Sequence, residues 1–205
     1  MASITRRRAP KVSRPVSAED EILAATRRIL TGGASFTDLG VQQISVEAGV
    51  ARSTFYAHFR DKTDLLLRLA TDMLATSFDV ASAWEPTDGL DKLAEDFLRI
   101  LGVYREHAAV LRAVGEVATY DLTVRDFWSQ GLAQFTDRTI AALRAEQAAG
   151  RTPADVNLVS AARVIVQGGE RAIFDQVTTA PPTDDAAFAR ELAQTWWYGV
   201  YRRPA

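Results

Sequence analysis

Between residues 52 and 62 the chain gathers Arg52, Ser53, Thr54, Tyr56, His58 and Lys62. These side chains carry guanidinium, hydroxyl, phenol, imidazole and ammonium groups, the donors with which proteins position phosphates and read base edges. Phe55 and Phe59, four residues apart, are interleaved with them, so a short helix buries one apolar side and presents the polar set elsewhere. Just upstream, Gly49 supplies a turn geometry that other residues resist, and Val50 follows as an apolar anchor. A helix, a glycine turn and a short polar helix form the second half of a DNA-binding helix-turn-helix. Arg52, Ser53 and Thr54 open that helix, where backbone N–H groups also favour phosphate. Residue type does not divide base reading from backbone positioning among these three and Tyr56. Lys62, opening the next helix, is most simply a phosphate contact. His58 suits either a donor to DNA or helix packing, and the plain alternative for the whole stretch is a solvated helix.

The charge distribution places a polyanion at one end. Net charge is −2 over 205 residues, yet residues 1–70 hold 11 Lys+Arg against 7 Asp+Glu, and the remainder 13 against 19. Arg6, Arg7, Arg8, Lys11 and Arg14 meet no acid in the first 14 residues, and Pro10 and Pro15 oppose helix. Residues 1–16 are therefore expected to be a disordered basic arm that settles on phosphates or in a minor groove, or else a solubilising tail. A hydrophobic share of 47% is enough for a substantial core. No run approaches the ~20 apolar residues of a membrane span, and no apolar stretch follows the N-terminal arginines as it would in a secretory signal. A cytoplasmic location with no membrane partner is expected.

The absence of cysteine removes disulfides and thiolate metal sites, and two histidines, His58 and His107, are too few for most zinc sets. No metal and no cofactor are expected. Neither is an enzyme: no nucleophile stands beside a base, and His107, next to Glu106, lies on a polar stretch near a helix break.

The elements that position these groups are helices, because no stretch alternates with period two. Ser17 and Asp20 make a capping-box variant that opens a helix to Leu30, and Gly40 caps a second from Val41 to Ala48. The third runs from Arg52 to Phe59, and Asp61 caps a fourth with Leu65, Leu66, Leu69, Met73 and Phe78 inward. Trp84 to Asp88, containing Pro86, breaks the pattern before an apolar stripe at Leu90, Leu93, Phe97, Ile100, Leu101 and Tyr104. A shorter helix is expected over Ala108 to Tyr120, then a long one from Thr123 to Gly150. Thr152-Pro153 with Asp155 reads as the next start, Pro181-Pro182 as its stop, and Thr183 as the cap of a last helix. The fold class is all-α with about nine helices. Residues 17–62 are expected to form a helix-turn-helix domain, and residues 63–205 a ligand-binding and dimerisation domain.

The residues Ile22-Leu23-x-Ala25, Ile44-x3-Ala48-Gly49-Val50 and Ser53-Thr54-Phe55-Tyr56-x-His58-Phe59-x2-Lys62-x2-Leu65-Leu66 resemble the TetR (tetracycline-repressor) family of bacterial transcriptional regulators. The resemblance implies a homodimer that sets two helix-turn-helix heads in the major groove of operator DNA, with a variable C-terminal domain that binds a small molecule. Gly40 and Ala51 depart from the family, which has Ser or Thr at the first position and Ser at the second, so each loses a cap or phosphate donor. From Leu93 to Ala142, at Glu170-Arg171-x2-Phe174 and at Trp196, the chain is similar to the EthR (ethionamide-resistance regulator) subgroup. That similarity implies an aromatic-lined tunnel for elongated apolar ligands, lined by Phe97, Ile100, Tyr104, Trp128, Phe135, Gly169, Glu170, Phe174 and Trp196. Gly169 stands where the subgroup has a ligand-bonding asparagine. Read without the resemblance, the same aromatic stripes are core as readily as pocket.

Gly168-Gly169 forgoes about 1 kcal/mol per residue relative to alanine, which close packing or room for a ligand would offset. Glu170 is a candidate polar group in an apolar setting, or else pairs with an arginine or is exposed. Ala161, Ala162, Ile165, Phe188, Leu192 and Trp197 on the last two helices fit a dimer interface, or equally a monomer core. The expected function is a repressor released from its operator by a small apolar ligand. A ligand-independent DNA-binding protein and an all-α enzyme using the C-terminal cavity are the alternatives.

Overall fold

The computed structural model describes residues 17–203, so the basic arm with Arg6, Arg7 and Arg8 lies outside the described residues. Nine α-helices and no strand occur among the described residues. The first three are α1 (Ala18–Thr31), α2 (Val41–Glu47) and α3 (Arg52–His58). Ser17 and Asp20 cap α1 reciprocally, with Asp20 N donating to Ser17 Oγ at 3.1 Å. Neither Gly40 before α2 nor Ala51 before α3 supplies a side-chain cap. Between α2 and α3, Val50 N donates to Ser45 O at 3.0 Å and Gly49 N to Val46 O at 3.1 Å. With Gly49 at φ +68°, this is the paired closure of a Schellman turn, which needs the left-handed conformation glycine adopts without a Cβ penalty.

Helix α4 (Lys62–Ala83) is capped by Asp61, whose carboxylate accepts from Asp64 N at 2.8 Å. A 3-10 turn at Pro86–Asp88 leads to α5 (Gly89–Glu106), α6 (Ala108–Val117) and α7 (Leu122–Ala148). Helix α6 ends before the expected Tyr120, and α7 opens one residue before Thr123, because Asp121 accepts from both Thr123 N and Val124 N. Helix α8 (Leu158–Thr179) does not start at Pro153. The Thr152 hydroxyl is taken by Tyr201 O at 3.0 Å, and Gln147 Nε2 holds Pro153 O and Val156 O, so the loop stays pinned until Asn157 caps the helix. Thr183 likewise does not cap the last helix. Pro182–Asp184 makes a 3-10 turn, and α9 (Asp185–Gln194) starts where Arg105 grips Asp185. The chain then widens into a π-helical turn, Thr195–Val200, closed by Tyr201 N to Trp196 O.

Two apolar cores result, and they share α4, α6 and, through Val124 at one end and Leu143 at the other, α7. Leu65, Leu66, Leu69 and Ala70 of α4, with Val110, Ala113, Val114 and Val117 of α6, close over Ile22, Ile44, Phe55 and Phe59 of the first three helices. Met73 and Val80, further along α4, and Leu111 of α6 belong to the second core with α5, α7, α8 and α9. A shift of a shared helix in one core is therefore felt in the other.

Candidate DNA interface and ligand cavity

Phe55 is fully buried and Phe59 nearly so, which fixes the rotation of α3. Arg52, Ser53, Tyr56 and His58 are left exposed, and Thr54 is half-buried. Arg52 Nη2 donates to Tyr56 Oη at 3.3 Å, and the guanidinium lies 5.5 Å from the Tyr56 ring centroid. Stacking over one helical turn holds the arginine along the helix rather than loose in solvent. Gln42 and Gln43, on the first turn of α2, are exposed as well. Two adjacent amides just before the turn add donors and acceptors to this exposed polar set.

Lys62 does something other than expected. Its ammonium donates to Phe36 O at 3.2 Å, Thr37 O at 2.6 Å and Leu39 O at 3.4 Å, which uses all three of its donors. It fastens the loop between α1 and α2 to the start of α4. The same loop is held from below by α6. Glu116 Oε1 accepts from Ser35 Oγ at 2.8 Å and Thr37 N at 3.2 Å, and the Thr37 and Tyr120 hydroxyls are 2.7 Å apart. These bonds, from Thr37 first and then Ser35, hold the Glu116 carboxyl below its usual range against the opposing effect of burial. Neither Glu116 nor Tyr120 belongs to a recognisable motif.

The second core contains two adjoining apolar cavities of about 50 and 70 Å³. Phe97, Ile100, Phe135 and Trp196 stand in the walls of both. Phe97 and Trp196 meet edge to face with ring centroids 5.4 Å apart. The first cavity extends towards Trp84, Asp96 and Arg138, and the second towards Tyr104, Gly169 and Glu170. Burial first, and then the Glu170 charge, push the Tyr104 phenol above its ordinary value. Burial likewise raises the Glu170 carboxyl, opposed by a hydrogen bond from Trp128 Nε1 at 3.1 Å. Glu170 and Leu132 also face an open groove between α7 and α8.

A profile described as "Bacterial regulatory proteins, tetR family" matches residues 22–69, and one described as "Transcriptional regulator EthR, C-terminal domain" matches residues 94–202, more than half of the chain. The chain belongs to the TetR family, with an EthR-type C-terminal domain. This TetR-family regulator is 27% identical to the HTH-type transcriptional regulator EthR of Mycobacterium tuberculosis, over 98% of this chain and 94% of that protein. Its fold is similar to that of Salmonella enterica GusR, with a TM-score of 0.71 at 19% identity over 94% of this chain and all of that one. It is also similar to a Saccharomonospora viridis protein described as a transcriptional regulator in complex with choline, with a TM-score of 0.68 at 20% identity over 87% and 95% of the two chains.

Of the residues expected to line the tunnel of this TetR-family chain, seven stand in the cavity walls: Phe97, Ile100, Tyr104, Phe135, Gly169, Glu170 and Trp196. Trp128 stands outside them and acts on Glu170 through its indole N–H. Phe174 is displaced from the expected set, because its ring packs against α6. A methyl on Gly115 would meet Phe174 Cε2 at 3.0 Å. Ile173 takes its place in the wall. Arg171 pairs with Asp175 at 2.9 Å along its own helix, not with Glu170. On the last two helices, Ala162, Ile165 and Leu192 face the monomer's own core, whereas Val164 is 72% exposed and Val159 52%.

Proposed function

We propose that this regulator is a cytoplasmic homodimeric repressor that reads operator DNA with α3 and releases it when an apolar ligand enters the α5–α7–α8 cavity. The observation that carries the reading is the Arg52–Tyr56 pair, exposed on a short helix whose rotation Phe55 and Phe59 fix. Arg52, Ser53, Thr54, Tyr56 and His58 are assigned to the DNA, together with Gln42 and Gln43, while Lys62 is assigned to positioning the loop. Arg6, Arg7 and Arg8 are assigned to the DNA phosphates or the minor groove, on sequence grounds alone. Residues 17–62 act as the reading head and the rest as sensor and dimer body. Val159 and Val164, exposed apolar residues of α8, support a dimer face on the last two helices. Relatives named as transcriptional regulators support a binding protein over an enzyme.

Both cavities are small beside the 300–1,000 Å³ usual for drug-sized ligands, so a ligand must part the Phe97–Trp196 contact to enter. That displacement gives the liganded and free arrangements different energies, which any ligand-driven release requires. The choline complex of a protein with this fold supports small-molecule occupancy in general. The test pairs a thermal-shift screen of lipophilic compounds with anisotropy titration of the neighbouring intergenic DNA. Compounds that raise the melting temperature are expected to weaken DNA binding. Compounds that stabilise the protein and leave DNA affinity unchanged would establish the ligand-independent alternative instead.

A further inference from the structure

His107 is the residue between α5 and α6, and the two cores meet around it. Its N–H donates to Val103 O at 3.2 Å and its carbonyl accepts from Leu111 N at 2.9 Å, so its backbone closes one helix and opens the next. Ala108 then packs against the second core and Ala109 against the first, which sets His107 at the joint between them. Its half-buried side chain supplies no cap to α6, and Nδ1 is buried with no hydrogen-bond partner among the described residues. Arg27 of α1 is in a similar state. Its Nε is buried without a partner among the described residues, and Asp72 of α4, 3.9 Å from its Nη2, is already held by Arg68 at 2.8 Å. The charges acting on the imidazole are Arg27 from α1, Asp72 from α4 and the adjoining Glu106 of α5. Burial first, and then Arg27, hold the imidazole below its ordinary value of 6.5, against the pull of Glu106 and Asp72. Near neutral pH the side chain is therefore uncharged.

We propose that His107 is a proton-operated joint, at which protonation of the imidazole sets a second cation against Arg27, loosens α1 from α6 and lowers affinity for DNA. The proposal rests on the reading of DNA by α3 given above. Like charges at a half-buried site are screened by solvent less than exposed ones, so the repulsion is relieved by movement of the elements that carry them. Helix α6 passes that movement on. Its Val110, Ala113 and Val114 share the first core with Ile22 and Leu30 of α1, and its Glu116 holds Ser35 and Thr37 in the loop before α2. The sign of the response sets this joint apart from a simple basic interface. Acid charges the exposed His58 of α3, which strengthens attraction to phosphates, whereas the joint at His107 weakens binding over the same range.

The experiment uses the full-length chain with His58→Gln, in which His107 is the remaining histidine, and compares it with His58→Gln/His107→Gln. Affinity for the neighbouring intergenic DNA is measured by anisotropy at fixed salt, at about pH 7.5 and about pH 5.5. The first protein is expected to lose roughly fivefold in affinity on acidification, the low end of coupling between sites, and the second less than about twofold. The imidazole C2–H resonance of the first protein is expected to titrate below 6.5. Stability follows the same sign: the folded chain resists a proton that the unfolded chain accepts, so stability is fully present above 6.5 and lost as pH falls through the lowered value. Arg27→Gln removes the facing cation and is expected to raise the imidazole titration and shrink the acid loss of DNA affinity, which decides the matter should His107→Gln not fold. DNA binding near pH 7.5 with the same acid response in both proteins, an imidazole titrating at or above 6.5, or an acid loss unaltered by Arg27→Gln would overturn the proposal and leave DNA reading standing. Absence of DNA binding at either pH would remove DNA reading and the proposal with it.

Discussion

Lys62 and Glu170 show how far a side chain's surroundings redirect its chemistry. A lysine at the start of a helix beside a recognition helix suits a phosphate, yet Lys62 spends its donors on the carbonyls of Phe36, Thr37 and Leu39. Lys62→Met is therefore expected to cost about 1–3 kcal/mol of stability in chemical denaturation. It should leave the slope of log K against log salt for DNA binding unchanged, whereas loss of a phosphate contact would lower that slope by about 1. Glu170, with its carboxyl raised by burial, carries the opposite liability. Ionisation costs folded-state stability as pH rises from the ordinary glutamate value of 4.5 through the raised one. Glu170→Gln keeps an acceptor for Trp128 and is expected to raise the melting temperature by roughly 1–3 °C at pH 8 but not at pH 4. An equal shift at both would show that the charge is not what costs.

Among the elements, the loop between α1 and α2 depends on α6 more than on its own sequence. Glu116, below its ordinary value of 4.5, contributes fully above that value, and the contribution is lost as pH falls through the depressed one. Glu116→Ala is expected to cost about 1 kcal/mol at pH 7, a difference that shrinks below pH 4.5, and to weaken DNA binding while leaving ligand affinity alone. A difference independent of pH would mean the carboxylate is not the latch. How much of this was legible follows from the range of each interaction. Ser17, Asp20, Gly49 and the Phe55/Phe59 spacing act within a turn or two, and all could be read directly from the chain. The EthR resemblance likewise aligned seven residues that stand in the cavity walls. The start of α8 could not be read, because Thr152 answers to Tyr201, 49 residues away, and the start of α9 answers to Arg105, 80 residues away. Phe174 was misplaced for the same reason, since its neighbour Gly115 lies on α6.

For the whole molecule, α4 and α6 join the first three helices to the C-terminal bundle, each buried in both cores. Their contact with the bundle is close, as a methyl on Gly131 of α7 would stand 2.8 Å from Leu74 Cδ1 of α4. In the proposed mechanism, displacement in the cavity is passed through this packing to α3 and, in a dimer, alters the distance between two heads that meet half-sites about 34–36 Å apart. Val164→Arg on the exposed face of α8 is expected to shift sedimentation towards monomer and to weaken operator binding with little change in monomer stability. An unchanged sedimentation coefficient would place the dimer face elsewhere. The most direct measurement is a salt-series anisotropy titration of the neighbouring intergenic DNA with the wild type and Arg52→Ala. Log affinity is expected to fall linearly with log salt, and Arg52→Ala to lose roughly ten- to hundredfold at any one salt concentration. Affinity indifferent to both salt and Arg52 would contradict DNA reading by α3.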